Sequence, residues 1–168
     1  ILLILRGNYH AGQDEFILQN ELKDYTLDIN ELRFLSARSK NTLGGLKSLN
    51  YKNDNELNRI LLYFLKIRMQ KGEFCVINAY NEALKSFKDL ATLYRYKLFI
   101  IDFSDTPLHI CKQRNALEAQ KTGFLIPTKL LEKTHSLLKK IPKKYAVLKP
   151  NEWKNCLYQM PNLSAYKK

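Results

Sequence analysis

The chain has few residues of the kinds that build metal sites, disulfide frameworks or membrane spans. Its 168 residues include only three cysteines and three histidines. Cys75, Cys111 and Cys156 lie far apart and lack the spacing of a zinc site, so we predict reduced, structural thiols and no zinc. The first apolar run, Ile1 to Leu5, is much shorter than the ~20 residues that cross a bilayer. We therefore expect no membrane partner and a cytoplasmic protein.

Acidic residues are also scarce. The chain has 16 Asp and Glu against 28 Lys and Arg, which gives a formal net charge of +12. A basic excess of this size is typical of proteins that bind phosphate-bearing partners, so we expect nucleic acid, either DNA or RNA, with a protein partner as a further possibility. The alternative is that the lysines only solvate the surface.

Continuous apolar runs alternate with amphipathic segments along the chain. Ile1 to Leu5, Phe74 to Ile77 and Lys97 to Phe103 resemble strands buried on both faces, and Glu56 to Gln70 has the apolar spacing of a helix. This order predicts an α/β fold, a three-layer sandwich with a mostly parallel sheet and helices on both faces. We assign residues 1–148 to this domain and residues 149–168 to a C-terminal tail or appendage.

The first predicted strand runs into a glycine-spaced turn, Gly7-Asn8-Tyr9-His10-Ala11-Gly12-Gln13-Asp14. The pattern G-x-x-x-x-G-K-[ST] cradles phosphates with backbone N–H groups, neutralises them with lysine and holds Mg²⁺ with a hydroxyl. Here Gly7 and Gly12 keep the spacing, but Gln13 replaces the lysine and Asp14 replaces the hydroxyl. The turn therefore predicts a P-loop NTPase-like nucleotide site with altered chemistry, and an ordinary strand-to-helix turn is the alternative.

Polar segments follow the other predicted strands as well. These polar segments are Asp28 to Arg33, Asn78 to Asn81 and Asp102 to Asp105. In a parallel sheet such segments meet at the carboxyl edge, where ligands bind, so we expect them to share one crevice with the glycine turn.

A further polar stretch, from Ser36 to Asn55, is predicted to be a mobile connection.

Taken in order, these segments resemble the P-loop kinases of the polynucleotide 5′-kinase type, over roughly Ile1 to Trp153. The stretch Asp28-Ile29-Asn30-Glu31-Leu32-Arg33 resembles an acid-then-arginine segment of that family. Gly72-Glu73-Phe74-Cys75-Val76-Ile77-Asn78-Ala79-Tyr80-Asn81 looks like its G-x-x-V-I-x-D-x-T-N element. His109 to Asn115, followed by Leu125-Ile126-Pro127, is similar to its lid segment and to the start of the next helix.

The resemblance implies transfer of the γ-phosphate of ATP to a 5′-hydroxyl of DNA or RNA, with Mg²⁺ and a carboxylate base. It places Asn30 at the catalytic carboxylate, Arg33 at the acceptor phosphate and Arg114 at the donor phosphates. Lys121 is the cation nearest to a second lid arginine that the chain lacks. The implied nucleotide contacts are Gly7, His10, Ala11, Gly12, Gln13, Asp14 and Lys121, with Asp14 as the metal ligand.

The chain departs from that family at the positions that carry the chemistry. Gln13 removes a positive charge, Asn30 cannot accept a proton, and Asn78 stands where the family has aspartate. His10 replaces a loop glycine. We therefore predict a kinase-like domain with weak or absent catalysis that binds nucleic acid or a protein. The alternative is an active phosphotransferase that uses ATP and Mg²⁺, with Asp28 or Glu31 as base in a shifted register.

Overall fold

The computed structural model describes residues 1–36, 40–41, 44–49, 51, 54–81, 84–138 and 140–159. Within them, one sheet contains the strands β1 (Leu2–Arg6), β2 (Thr26–Asp28), β5 (Cys75–Tyr80), β6 (Leu98–Asp102) and β7 (Ala146–Leu148). These five strands are parallel and follow the order β2-β5-β1-β6-β7. No helix in this part of the chain combines the length and the hydropathy needed to cross a bilayer.

Strand β1 lies at the centre of the sheet, with β5 and β6 as its neighbours. All five of its residues are buried, as expected for a strand covered on both faces. The helices are α1 (Gln13–Gln19), α2 (Ile29–Ser36), α3 (Asp54–Gln70), α4 (Leu84–Leu93), α5 (Leu108–Thr122) and α6 (Thr128–Leu137).

Alternate residues of β1 enter different cores. Leu3 and Leu5 pack with Phe16 of α1 and Cys111 of α5 on one face. A second core on the other face contains Leu61, Leu65 and Met69 of α3 with Phe87 and Ala91 of α4, packed on Leu2 and Ile4. The α3 residues follow the four-residue spacing that keeps side chains on one side of a helix. The predicted three-layer α/β sandwich is therefore confirmed.

The end of one strand differs from the sequence prediction. Strand β5 continues to Tyr80, so Asn78 lies within the strand and not after it. This extension places the buried side chains of Asn78 and Tyr80 at the carboxyl edge of the sheet. Helix α5 begins at Leu108, directly after Pro107, whose ψ of 146° is extended.

The segment predicted to be a mobile connection contains a short antiparallel ribbon, β3 (Lys40–Asn41) and β4 (Lys47–Ser48). Lys47 exchanges backbone hydrogen bonds with the segment after α5, donating to the Gly123 carbonyl at 2.7 Å and accepting from Leu125 N–H at 2.8 Å. Residues 37–39, 42–43, 50 and 52–53 of that connection lie outside the described residues.

The predicted tail begins with a 3-10 helix, Pro150–Gln159. Its Trp153 and Cys156 are buried in the same core as Phe16, and the Trp153 indole donates to Asn20 Oδ1 at 2.9 Å. This part of the tail therefore contributes to the core of the domain. Residues 160–168 lie outside the described part of the chain, and the domain boundary at residue 148 stays a prediction.

Candidate functional site

The glycine turn lies between β1 and α1 and is fixed to both sides of the crevice. Gly7 N–H donates to the Tyr80 carbonyl at 3.1 Å, and the Asn8 amide donates to the Leu131 carbonyl of α6 at 3.0 Å. A Cβ on Gly7 would lie 2.8 Å from Cβ of Phe103, so only glycine fits there. Gly12 has a φ of 121°, a conformation that glycine adopts without strain.

The side chain of Gln13 occupies the inside of this turn. Gln13 is only 2% exposed, and its Nε2 donates to the Asn8 carbonyl at 3.0 Å. The same Nε2 would lie 3.0 Å from a Cβ built on Gly7. A neutral amide therefore stands against the loop backbone, at the position where the loop pattern has a lysine. The turn retains its shape but lacks a cation inside it.

Helix α5 crosses the mouth of the turn. Arg114 Nη1 donates to the His10 carbonyl at 3.1 Å and would lie 3.7 Å from a Cβ on Gly12. His10 has a φ of 58°, and burial lowers the pKa of its imidazole, so the ring is neutral at pH 7. A cleft of about 520 Å³ separates the turn and α1 from α5, and its lining residues are His10, Gly12, Asp14, Glu15, Leu18, Arg114, Leu117, Glu118 and Lys121.

The cleft is electrostatically mixed. Arg114 and Lys121 contribute positive charge, while Asp14, Glu15 and Glu118 contribute negative charge. A triphosphate would meet at least as many carboxylates as cations there, so a bound metal ion would be needed to offset the repulsion. The predicted residues Gly12, Asp14, Arg114 and Lys121 do lie around one cleft.

A second group of polar side chains lies deeper, at the ends of β2 and β5. We call it the strand-end cluster: Asp14, Asp28, Asn30, Asn78 and Tyr80. Asp28 Oδ2 accepts from Asn78 Nδ2 at 2.8 Å and from Tyr80 Oη at 3.1 Å, and Asp28 Oδ1 accepts from Asn30 N–H at 2.8 Å. Asn78 Nδ2 also lies 3.3 Å from Asp14 Oδ1.

The two carboxyl groups of the cluster have raised pKa values. Burial, reinforced by the charge of Asp14, raises the pKa of Asp28 to about 6, although hydrogen bonds from Asn30, Asn78 and Tyr80 oppose that shift. Burial also raises the pKa of Asp14. A carboxylate with a pKa near neutrality suits proton transfer better than an exposed one does. Asp28 is thus one candidate base at this edge of the sheet.

The raised pKa of Asp28 predicts a stability that depends on pH. Between the ordinary value of 3.8 and about 6, the folded chain keeps a proton that the unfolded chain has released. The free energy of unfolding should therefore fall as pH rises through this window, by about 2–3 kcal/mol for a shift of this size. Urea denaturation of the wild type and Asp28→Asn at pH 4 and pH 7 measures the effect, because carboxyl groups that do not interact with Asp28 cancel in the difference. A difference that stays constant with pH would contradict it.

Arg33, the predicted acceptor-phosphate residue, is buried and already paired. It is 1% exposed, and its Nε and Nη2 donate to the two carboxylate oxygens of Asp54 at 3.2 and 2.6 Å. The guanidinium also donates to Asn30 Oδ1 and to Tyr9 Oη, and lies over the ring of Tyr51 at 4.7 Å. Burial alone would lower the pKa of Arg33, but the hydrogen bonds that its guanidinium donates to Asp54 raise the pKa above its usual value. The residue stays fully charged without being open to solvent.

Three tyrosines line a smaller pocket of about 300 Å³ above Arg33 and beside α6. The Tyr9 and Tyr80 rings stack with centroids 4.5 Å apart, and Tyr51 meets Tyr9 edge-on at 5.9 Å. Lys133 of α6 is the cation in its lining. The pocket adjoins the strand-end cluster through Tyr80, whose hydroxyl belongs to the cluster and whose ring belongs to the pocket. We call it the tyrosine pocket.

The structure gives the predicted site residues different surroundings. Gly7, His10, Ala11, Gly12 and Gln13 form the turn, Asp14 joins the strand-end cluster, and Arg114 and Lys121 face the cleft. Asn30 uses its side chain to bind Arg33 and Tyr80.

Sequence reasoning placed Tyr80 only within a segment that borders the crevice, missed Asp54, and gave Asp28 only a secondary role. One usable signal pointed to Asp28, since it lies where a predicted strand meets a polar segment. No signal in the sequence pointed to Asp54 as the partner of Arg33, because the two residues are 21 positions apart and the segment between them has no periodicity.

No family model matches the sequence, and no curated protein does. Solved structures do resemble it. One is the Pnkp1/Rnl/Hen1 RNA repair complex, at 19% identity and a TM-score of 0.61, covering 82% of this chain and 43% of that chain. This chain thus spans less than half of that protein.

Two other similar structures have nearly the same length as this chain. A putative kinase from Chloroflexus aurantiacus J-10-fl has 15% identity and a TM-score of 0.63, with coverage of 96% and 98%. The Mycobacterium tuberculosis APS kinase CysC, solved with AMPPNP and APS, has 16% identity and a TM-score of 0.55, with coverage of 94% and 97%. At such identities the similarity concerns the fold alone, so this chain has an α/β, P-loop NTPase-like fold.

Proposed function

We propose that this chain is a polynucleotide-kinase-like domain with weak or absent phosphoryl transfer, which binds nucleic acid at the carboxyl edge of its sheet. The observation that carries the proposal is the buried Gln13 amide, which fills the turn and is bonded to the Asn8 carbonyl. Phosphoryl transfer depends on positive charge placed around the transferred group, and the turn supplies none from its own side chains. We keep the cytoplasmic location as a prediction.

The acceptor side supports the same proposal. Arg33 would have to give up the two oxygens of Asp54 before it could hold a phosphate. Breaking a buried, bidentate pair costs several kcal/mol, so the acceptor phosphate is not readily gripped in this arrangement. By contrast, an excess of 12 positive charges suits a nucleic-acid strand, whose backbone is negatively charged.

Nucleic-acid binding has a direct signature in its salt dependence. Fluorescence anisotropy with 5′-hydroxyl oligonucleotides should give an affinity that falls linearly on a log–log plot against salt concentration, because bound counterions are released. Lys133→Gln, in the tyrosine pocket, should reduce that slope by about 1 if Lys133 contacts a phosphate.

The matched control is Lys71→Gln, an exposed lysine beyond the end of α3 at the opposite edge of the sheet. It should leave the slope unchanged. Binding that is absent, or that does not respond to salt, would overturn the nucleic-acid proposal. Binding that both variants weaken equally would place the interface elsewhere on the molecule.

A second candidate function is an active phosphotransferase acting on 5′-hydroxyl ends with ATP and Mg²⁺. The specific observation in its favour is Asp28, a buried carboxylate with a pKa of about 6 that lies in one cluster with Asp14. Transfer of labelled phosphate from ATP to 5′-hydroxyl DNA and RNA tests it. Robust turnover that Asp28→Asn abolishes would favour this function over a weak or inactive domain.

A further inference from the structure

The excess positive charge of the chain is concentrated where α6 leads towards β7. Residues 133–145 contain five lysines and no aspartate or glutamate, so this segment carries five of the 12 excess positive charges. One of the five, Lys139, lies outside the described residues. A local excess of one sign attracts partners of the opposite charge, so this segment is a candidate surface for a polyanion.

Several lysines of this region have no carboxylate partner among the described residues. They are Lys88 of α4, Lys140, Lys143 and Lys144. Lysines elsewhere do form ion pairs, namely Lys23, Lys85, Lys112 and Lys149. We call the first four lysines, together with Tyr145, the lysine patch. Its charge is not offset within the described part of the chain, so it is available to an anionic partner.

Tyr145 connects the two elements of the patch. Its backbone N–H donates to the Pro142 carbonyl at 3.1 Å, which closes a turn with the exposed Lys143 and Lys144 at its tip. The ammonium nitrogens of Lys88 and Lys144 lie 5.3 and 5.5 Å from the centroid of the Tyr145 ring. An aromatic face attracts cations, so this ring holds two ammonium groups together although no carboxylate neutralises them. The patch is therefore already assembled in the free protein.

The lysine patch lies at the amino edge of the sheet, opposite the cleft. Its turn leads into β7, where Ala146 pairs with Phe99 near the start of β6. The Tyr145 ring packs against the core that α3 and α4 cover, so the patch borders that face of the sheet. Lys133 of α6 lines the tyrosine pocket near the carboxyl edge. Cationic side chains therefore occur at both edges of the sheet, joined by one lysine-rich segment.

We propose that a nucleic-acid strand bound at the carboxyl edge continues over this face and that the lysine patch binds its phosphates. The inference rests on the proposed nucleic-acid binding and adds a second contact surface to it. A β-strand of five residues is about 16 Å long, and phosphates follow one another at about 3.4 Å along one chain of a duplex, so about five nucleotides separate the two surfaces. A polymer can reach both surfaces at once, which a small anion cannot. Because ammonium groups contact phosphates and not base edges, the patch binds without regard to base sequence.

Fluorescence anisotropy with 20-nucleotide single strands of DNA and of RNA, of mixed sequence, tests the patch. The double variant Lys143→Gln/Lys144→Gln removes two charges from the tip of an exposed turn. It should reduce the slope of log affinity against log salt concentration by about 1.4, and the affinity at 0.1 M salt by about 10–30-fold, if each lysine contacts one phosphate. Lys143→Arg/Lys144→Arg keeps both charges and should keep the slope.

The matched control is Lys66→Gln/Lys71→Gln, which removes two exposed lysines near the C-terminal end of α3 and should leave the slope unchanged. Thermal melting confirms that each variant is folded. If the glutamine variant of the patch binds like the wild type, or loses no more affinity than the control, the patch is overturned, and Lys133→Gln then reports separately on the carboxyl edge. If the wild type binds neither strand, the patch and the proposed nucleic-acid binding both fail. Polyglutamate that displaces the labelled strand as well as unlabelled nucleic acid does would also overturn the patch as a nucleic-acid surface.

Discussion

Replacing Asp54 with alanine should lower the free energy of unfolding by about 3–5 kcal/mol, the cost of leaving a buried charge without its partner. Arg33 is 1% exposed and gives two of its nitrogens to Asp54. Its remaining contacts, Asn30 Oδ1, Tyr9 Oη and the Tyr51 ring, are neutral and do not replace a carboxylate. Because the Asp54 side chain is 28% exposed, water can reach part of the gap, and we expect the lower end of this range.

Chemical denaturation of the wild type and Asp54→Ala measures the loss. Two controls separate it from a general effect of removing acids. Asp89→Ala, at the exposed Lys85–Asp89 pair, should leave stability unchanged within error. The double variant Arg33→Met/Asp54→Leu removes both charges and should be more stable than Asp54→Ala. If Asp54→Ala unfolds at the wild-type denaturant concentration, Arg33 does not depend on its partner.

The same pair links stability to ligand binding. An acceptor phosphate would compete with Asp54 for the same guanidinium, so any phosphate that binds Arg33 must first offset the loss of that pair. A protein that uses Arg33 for structure gains rigidity below the tyrosine pocket and gives up affinity for a phosphate there. This arrangement is consistent with a domain that binds nucleic acid through surface charge and not through Arg33.

The sequence predicted the layered fold because the buried strands consist of continuous runs of apolar residues. Leu2 to Leu5 and Phe99 to Ile101 contain no polar residue that obscures the pattern. It did not predict the full length of β5, because Asn78 and Tyr80 look polar while both are buried. Their burial depends on hydrogen bonds to Asp28 and Asn30, residues about 50 positions away, which local periodicity cannot reveal.

The sequence predicted where the site lies but not which of its side chains form hydrogen bonds with one another. Gly7 and Gly12 identified the turn through their spacing, and the order of segments placed Asp14 and Asn78 at the same edge, where the structure shows them 3.3 Å apart. Whether Gln13 points into the turn or out to solvent depends on the Asn8 carbonyl, to which its side chain donates, and the sequence pattern does not predict this hydrogen bond. Tertiary contacts of this kind determine which polar groups remain free to act.

Restoring a cation to the turn, with Gln13→Lys, should raise the affinity for ATP and Mg²⁺ by about 10–100-fold, the effect of one or two hydrogen bonds to a charged group. The lysine would take the path of the Gln13 side chain, along Gly7 to the Asn8 carbonyl, which can hold its ammonium group in the free protein. Calorimetric titration with ATP and excess Mg²⁺ measures the gain. Gln13→Met, of similar length and without a donor, should bind no better than the wild type. Equal affinities in the lysine and methionine variants would mean that the turn no longer receives phosphate. Strong ATP binding by the wild type itself would mean that cations outside the turn, such as Arg114, already supply the positive charge that the lysine would provide.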